Sequence, residues 1–145
     1  MTKPFLALSL IAAALLTSCN KPAAPMTGVD IAGTPIGGAF TLVDKDSKPV
    51  SWDQFKGRYR IVYFGYTFCP DACPLDMGVV MKAFRQFEQA SPELAAKVQP
   101  MFISIDPARD TPARVGEFAA AFSPRLLGLT GSPAQVDQAV KAFRA

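Results

Sequence analysis

Histidine is absent from the 145 residues. A histidine-based triad, a histidine general base and a histidine metal ligand are therefore excluded within this stretch of chain. Charge is sparse as well, at 19% of residues, with 15 basic and 12 acidic side chains. Setting aside Lys3, which falls in a segment read below as removable, leaves 14 basic and 12 acidic residues, or +2. A nucleic-acid binder needs a concentrated basic face, so no nucleic-acid partner is expected. The 50% of apolar residues and the few charges argue against a disordered or coiled-coil chain. Long apolar runs are lacking too. The one hydrophobic stretch, Phe5 to Leu16, is too short to span a bilayer as a mature helix.

That stretch follows the cationic start Met1-Thr2-Lys3 and precedes small residues, the pattern of a secretory signal. Leu16-Thr17-Ser18-Cys19 is similar to a bacterial lipoprotein box, in which the cysteine becomes the acylated new N-terminus. Residues 1–18 are thus expected to be a lipoprotein signal peptide, with Cys19 lipidated and the protein anchored to a bacterial membrane, facing the periplasm. The competing reading is an ordinary cleaved signal that happens to contain a cysteine. Residues 19–35, rich in Pro, Ala, Gly and Thr, read as a flexible tether. Acylation would leave two thiols, in a compartment where disulfides can form.

From residue 36 the chain alternates strand and helix. Phe40–Val43 and Val50–Trp52 flank turn residues and predict an N-terminal hairpin. Arg60–Tyr66 is β-branched and aromatic on both faces, which suits a central parallel strand. Met77, Val80, Met81, Phe84 and Phe87 recur at spacings of three and four, predicting an amphipathic helix over 74–89. Val98–Ile105 and Leu126–Thr130 read as further core strands. Thr111-Pro112 and Ser132-Pro133-Ala134-Gln135 place cap residues before prolines and open two more helices. The order implies an α/β fold with a mostly parallel sheet flanked by helices. The sequence stops inside the last helix, so the domain over 36–145 is expected to be C-terminally truncated, its last strands and helix missing.

The chemistry is concentrated in Cys69-Pro70-Asp71-Ala72-Cys73-Pro74, just past a strand end. Read as one face of a helical turn, cysteines four apart place their Cβ atoms about 5–6 Å apart. A relaxed disulfide wants about 3.5–4.5 Å. The spacing therefore suits one soft ion between the sulfurs better than a disulfide, although two prolines can loosen the turn and leave oxidation open. A helix N-terminus favours the thiolate, the form that binds metal and attacks disulfides. A closed zinc site needs four ligands, whereas a two-cysteine Cu(I) site completed by one outside ligand fits. The bland alternative is a pair of inert buried cysteines.

Together, Gly65-Tyr66-Thr67, Cys69 through Pro74, the run Ile103 to Pro112 and Leu129-Thr130-Gly131-Ser132 resemble the Sco/SenC family over about residue 35 to the end. The resemblance implies a thioredoxin-like fold, a membrane anchor, and copper, Cu(I) or Cu(II), held in service of the copper A centre of cytochrome c oxidase. Cys69 and Cys73 correspond to the family's copper-ligating pair. Its third ligand is a histidine in a Val-Asp-His segment further along, which the given sequence does not reach. The implied partner is the copper A subunit of cytochrome c oxidase or another copper-site protein.

Two classes of function stand side by side: a copper metallochaperone without turnover of its own, and an extracytoplasmic thiol–disulfide oxidoreductase using Cys69 and Cys73 as its redox pair. The C-x3-C spacing differs from the C-x-x-C of general thioredoxin-type enzymes and favours the chaperone. Met77, one turn past Cys73, is a potential thioether ligand but is read as core filler. Asp106, Arg109 and Asp110 are read as an Asp-Pro turn with an Arg–Asp pair, the alternative being that they face the cysteine loop. Asp71 either tunes the thiolates or starts the helix, and Trp52 and Phe55 are read as core.

Overall fold

The strand–helix alternation is realised in a computed structural model that describes residues 31–145. The signal segment 1–18, Cys19 and the first part of the tether lie outside the described residues. Strands β1 (Thr41–Val43) and β2 (Pro49–Ser51) form the expected hairpin, with Leu42 opposite Val50. Asp44 shapes its turn, its carboxylate accepting the N–H groups of Asp46 and Lys48, both at 2.9 Å. Strand β3 (Tyr59–Gly65) pairs in parallel with β4 (Val98–Ser104), which pairs in parallel with β5 (Leu127–Leu129). The hairpin joins beside β5: the N–H of Val43 donates to the carbonyl of Thr130 at 2.7 Å, and that of Thr130 to Val43 at 3.0 Å.

Among the described residues β3 has a single neighbour, and β4 is the central strand. Residues of β3 are apolar on both sides because both faces of the sheet are covered. That coverage does not depend on whether a strand has one hydrogen-bonded neighbour or two.

Alternation along β4 divides the core. Met101 and Ile103 point to one face, against Leu42, Leu129 and Val136 of helix α4 (Pro133–Phe143). Phe102 points to the other, against Met77, Met81 and Phe84 of α1 (Ala72–Ala90) and Val115 and Ala119 of α3 (Pro112–Phe122). Trp52 and Phe55 are half-buried against the first cluster, with the Trp52 ring 5.2 Å from both Phe40 and Phe143. Phe87, expected in the apolar stripe of α1, is exposed near that helix's end.

Both expected caps form. The Thr111 hydroxyl accepts from the N–H of Arg114 at 3.3 Å, and Ser132 and Gln135 make a reciprocal capping box. A short helix not expected from the sequence, α2 (Pro92–Ala95), precedes β4. Gly128 lets β5 approach α3: a Cβ there would lie 2.6 Å from the backbone oxygen of Val115. No helix among the described residues is long and apolar enough to cross a membrane.

Candidate metal centre

Parallel strands bring their carboxyl ends to one edge, where ligands of α/β sheets are bound. At that edge the chain leaves β3 at Gly65 and turns, the Cys69 N–H donating to the Tyr66 carbonyl at 3.2 Å. Helix α1 begins only at Ala72. This corrects the reading of one helical turn bearing both sulfurs: Cys69 sits in the loop before the helix and Cys73 in its first turn. Both are free thiols. They meet by another route, the Cys73 N–H donating to the Cys69 sulfur at 3.3 Å. Cys69 thus does for α1 what a capping side chain does elsewhere. Asp71 occupies the N-cap position without a side-chain bond, so it starts the helix through its backbone.

The two thiols are electrostatically unlike. The Cys73 N–H, the Cys73 thiol and the Asp71 N–H stabilise the Cys69 thiolate and bring its pKa down to about 7. Cys73, 5% exposed, is pushed up because burial disfavours its charged form. The expectation that a helix N-terminus favours thiolate thus holds for the sulfur outside the helix and is overcome by burial for the one inside. Alkylation of Cys69 by iodoacetamide should be half-maximal near pH 7 and fall as pH drops, with Cys73 reacting only at higher pH. A Cys69 midpoint near the ordinary thiol value of about 8.5 would contradict this arrangement.

The surroundings are built closely around the pair. At Gly65 a Cβ would lie 3.0 Å from the Cys73 sulfur and 2.8 Å from the Tyr63 ring, so only glycine leaves room for the start of α1. The Tyr63 hydroxyl donates to Asp76 at 2.9 Å. Its pKa is raised by burial first, then by Asp76 and Cys73. The negative charge of Cys69 raises that of Tyr66. Met77 is 1% exposed among Met81, Phe84 and Phe102, where core packing accounts for it.

Both readings of this segment hold: the Asp-Pro turn with its Arg109–Asp106 pair forms ahead of the Thr111 cap, and Asp110 and Arg109 also face the cysteine loop. Asp110, 1% exposed, accepts from the Thr67 N–H at 2.9 Å, the Thr67 hydroxyl at 2.6 Å and the Ser104 hydroxyl at 2.6 Å. Arg109 pairs with Asp106 in the Asp-Pro turn, and its guanidinium lies 5.0 Å from the Phe68 ring centroid. Arg114 lies 4.5 Å from the same ring, which is 44% exposed beside Cys69. Gly65, Thr67 and Ser104 stand in the family motifs, but their roles in spacing and anchoring the turn were not read from the sequence. Only the small residue at the strand end and the hydroxyl two positions before Cys69 could have signalled the first two.

Among the described residues, no three His, Cys, Asp or Glu side chains converge as a metal cage. Cys69 and Cys73 are the candidate donor pair. Two sulfurs, one of them thiolate near neutral pH, suit a soft ion of low coordination number.

The family model described as SCO1/SenC matches residues 29–145. Protein SenC of Rhodobacter capsulatus is 42% identical over 126 residues, covering 87% of this chain and 55% of SenC. The crystal structure of Arabidopsis thaliana ScoI with copper bound is 39% identical, with a TM-score of 0.69 over 75% of this chain and 66% of that one. BsSco, described with a disulfide switch and as a member of the Sco family of cytochrome c oxidase assembly proteins, is 29% identical, with a TM-score of 0.59 over 74% of this chain and 64% of that one. The chain spans about half, or less, of the length of the curated relatives it matches. On the match of sequence, of motifs and of the thioredoxin-like fold, the chain belongs to the SCO1/SenC family.

Proposed function

We propose that this protein is a membrane-anchored copper metallochaperone that holds Cu(I) between Cys69 and Cys73 and passes it to a recipient copper protein. The observation that carries this is the hydrogen bond from the Cys73 N–H to the Cys69 sulfur at 3.3 Å, which holds the half-buried Cys69 beside Cys73 at the strand-end edge. Thiolates select Cu(I) among available ions, and two of them leave the ion's third position to a donor from outside these residues. An ion held that way stays exchangeable, as a cargo must. The copper-bound ScoI relative and the membership of BsSco in a family of cytochrome c oxidase assembly proteins support the copper A subunit of that oxidase, or another copper-site protein, as recipient.

A second reading is favoured by the unlike thiols. Cys69 as thiolate would attack a disulfide of the partner, breaking its S–S bond and forming a mixed disulfide. Cys73 would then attack the Cys69 sulfur, leaving a Cys69–Cys73 disulfide here and two thiols on the partner, a balanced two-electron exchange. One experiment separates the readings: competition titration against a Cu(I) chelator beside a disulfide-reduction assay on the same protein. Tight copper retention with slow disulfide exchange supports the chaperone, and fast exchange with no copper retention supports the oxidoreductase.

The anchor part of the proposal rests on the box ending at Cys19. Expressed in a bacterium, the chain should partition with membranes and take up a fatty-acid label, and Cys19→Ser should abolish both. An unlabelled parent protein would rule the lipid anchor out.

A further inference from the structure

We propose that Asp110 is a positioning residue for the cysteine pair, its carboxylate fixing the turn that delivers Cys69. Its consequence for copper rests on the function proposed above, while its cause lies in the geometry of the turn. Tyr66 to Cys69 form a four-residue turn closed by the Cys69 N–H on the Tyr66 carbonyl. Thr67, second in that turn, gives its N–H to one Asp110 oxygen and its hydroxyl to the other. The Ser104 hydroxyl donates to the first of these oxygens, and the Asp110 carbonyl accepts from the Thr130 hydroxyl at 3.1 Å. One buried residue therefore ties the carboxyl ends of all three parallel strands to the cysteine turn.

Asp110 makes no ion pair among the described residues. Burying a carboxylate without a cation is unfavourable unless its oxygens are used by donors. An apolar residue would leave the Thr67 N–H and the Thr67 and Ser104 hydroxyls without their acceptor, and an asparagine would keep the shape. The carboxylate accepts from all three donors at once, whereas an amide has a single acceptor oxygen and keeps the second Thr67 contact only by turning the hydroxyl round to accept from its NH2. Thr67 is thereby held by backbone and side chain at once, which fixes the path of the chain into Cys69 two residues later. That path has little slack, since the contact between the Cys73 N–H and the Cys69 sulfur, at 3.3 Å, depends on it.

The test compares Asp110→Asn, Thr67→Val, Thr67→Ser and the Asp110→Asn/Thr67→Val pair in the 145-residue chain, each checked for folding by its urea midpoint. Two readouts are taken on folded protein: Cu(I) competition against a chelator, and the equilibrium of the Cys69–Cys73 pair with glutathione. Asp110→Asn and Thr67→Val should each weaken Cu(I) binding about tenfold, the low end of what supporting partners of a metal ligand contribute. Each should also shift the glutathione equilibrium at least about threefold toward the dithiol, because sulfurs no longer held together close a bond less readily. Thr67→Ser should stay near the parent, and the double variant should be no worse than the worse single one. A folded Thr67→Val within about twofold of the parent in both readouts, or additive effects in the double variant, overturns the proposal, since a purely structural role moves only the urea midpoint. Should Asp110→Asn fail to fold, Thr67→Val decides alone. Should the parent hold no Cu(I), the copper function fails while the glutathione equilibrium still decides whether Asp110 positions the pair.

Discussion

Replacing either Cys69 or Cys73 by serine is expected to abolish most Cu(I) binding. A serine hydroxyl is a hard, protonated donor at neutral pH, whereas the ion prefers soft thiolate. Loss of a ligand should exceed the about 10–100-fold that loss of a merely supporting partner costs. The two variants should differ in a second respect. Cys69→Ser also removes the sulfur that accepts the Cys73 N–H at the start of α1, so it should loosen that helix end. Cys73→Ser places a hydroxyl in a site that is 5% exposed and pressed against Gly65, so it should lower stability as well as binding. Met77→Leu, a swap of similar volume inside the core, should leave binding near the parent and lose less than about 1.5 kcal/mol of stability. Chelator competition and urea midpoints on the three variants check this. A Met77→Leu variant that lost copper as fully as the cysteine variants would place the ion lower on the helix than proposed.

Phe102→Ala should be the most damaging single change to the fold. Phe102 is fully buried at the middle of the central strand, with its ring 4.6 Å from that of Phe118 and 6.1 Å from that of Tyr63. It is where β4, α1 and α3 meet. Truncating a buried Phe typically costs about 3–5 kcal/mol, made of lost transfer energy plus the cavity left behind. That is a large share of the roughly 5–15 kcal/mol by which domains are stable. Urea denaturation of the pair should show the midpoint falling steeply at an unchanged slope. A loss below about 1 kcal/mol would mean that neighbouring side chains collapse into the space, and that the α1/α3 face is packed less tightly than described.

Local signals in the sequence reached the elements and stopped short of the way they meet. Thr111-Pro112 and Ser132-Pro133 are cap signatures whose partners lie three residues away, and both caps form as read. Ser91-Pro92 has the same form, yet it opens only a four-residue helix and its side chain makes no cap bond. The four-residue spacing of the cysteines is satisfied equally by a helical turn and by a loop residue capping the first turn. Pro74 is the one local signal that separates them: in a helix starting at Ala72 it falls in the first turn, whereas a helix already running at Cys69 would place it in the interior. The grip of Asp110 on Thr67 spans 43 positions and leaves no periodic trace. The candidate donor pair is a reading of the sequence itself, resting on the motif Cys69-Pro70-Asp71-Ala72-Cys73.

The central claim is that Cu(I) is held by these two sulfurs. X-ray absorption at the copper edge, on the chain loaded with one equivalent of Cu(I), tests it most directly. The account predicts a first coordination shell containing two sulfur atoms, reduced to one in either serine variant that still retains copper. A shell made of nitrogen or oxygen donors alone in the parent protein, or two sulfurs persisting after Cys69→Ser, would contradict it.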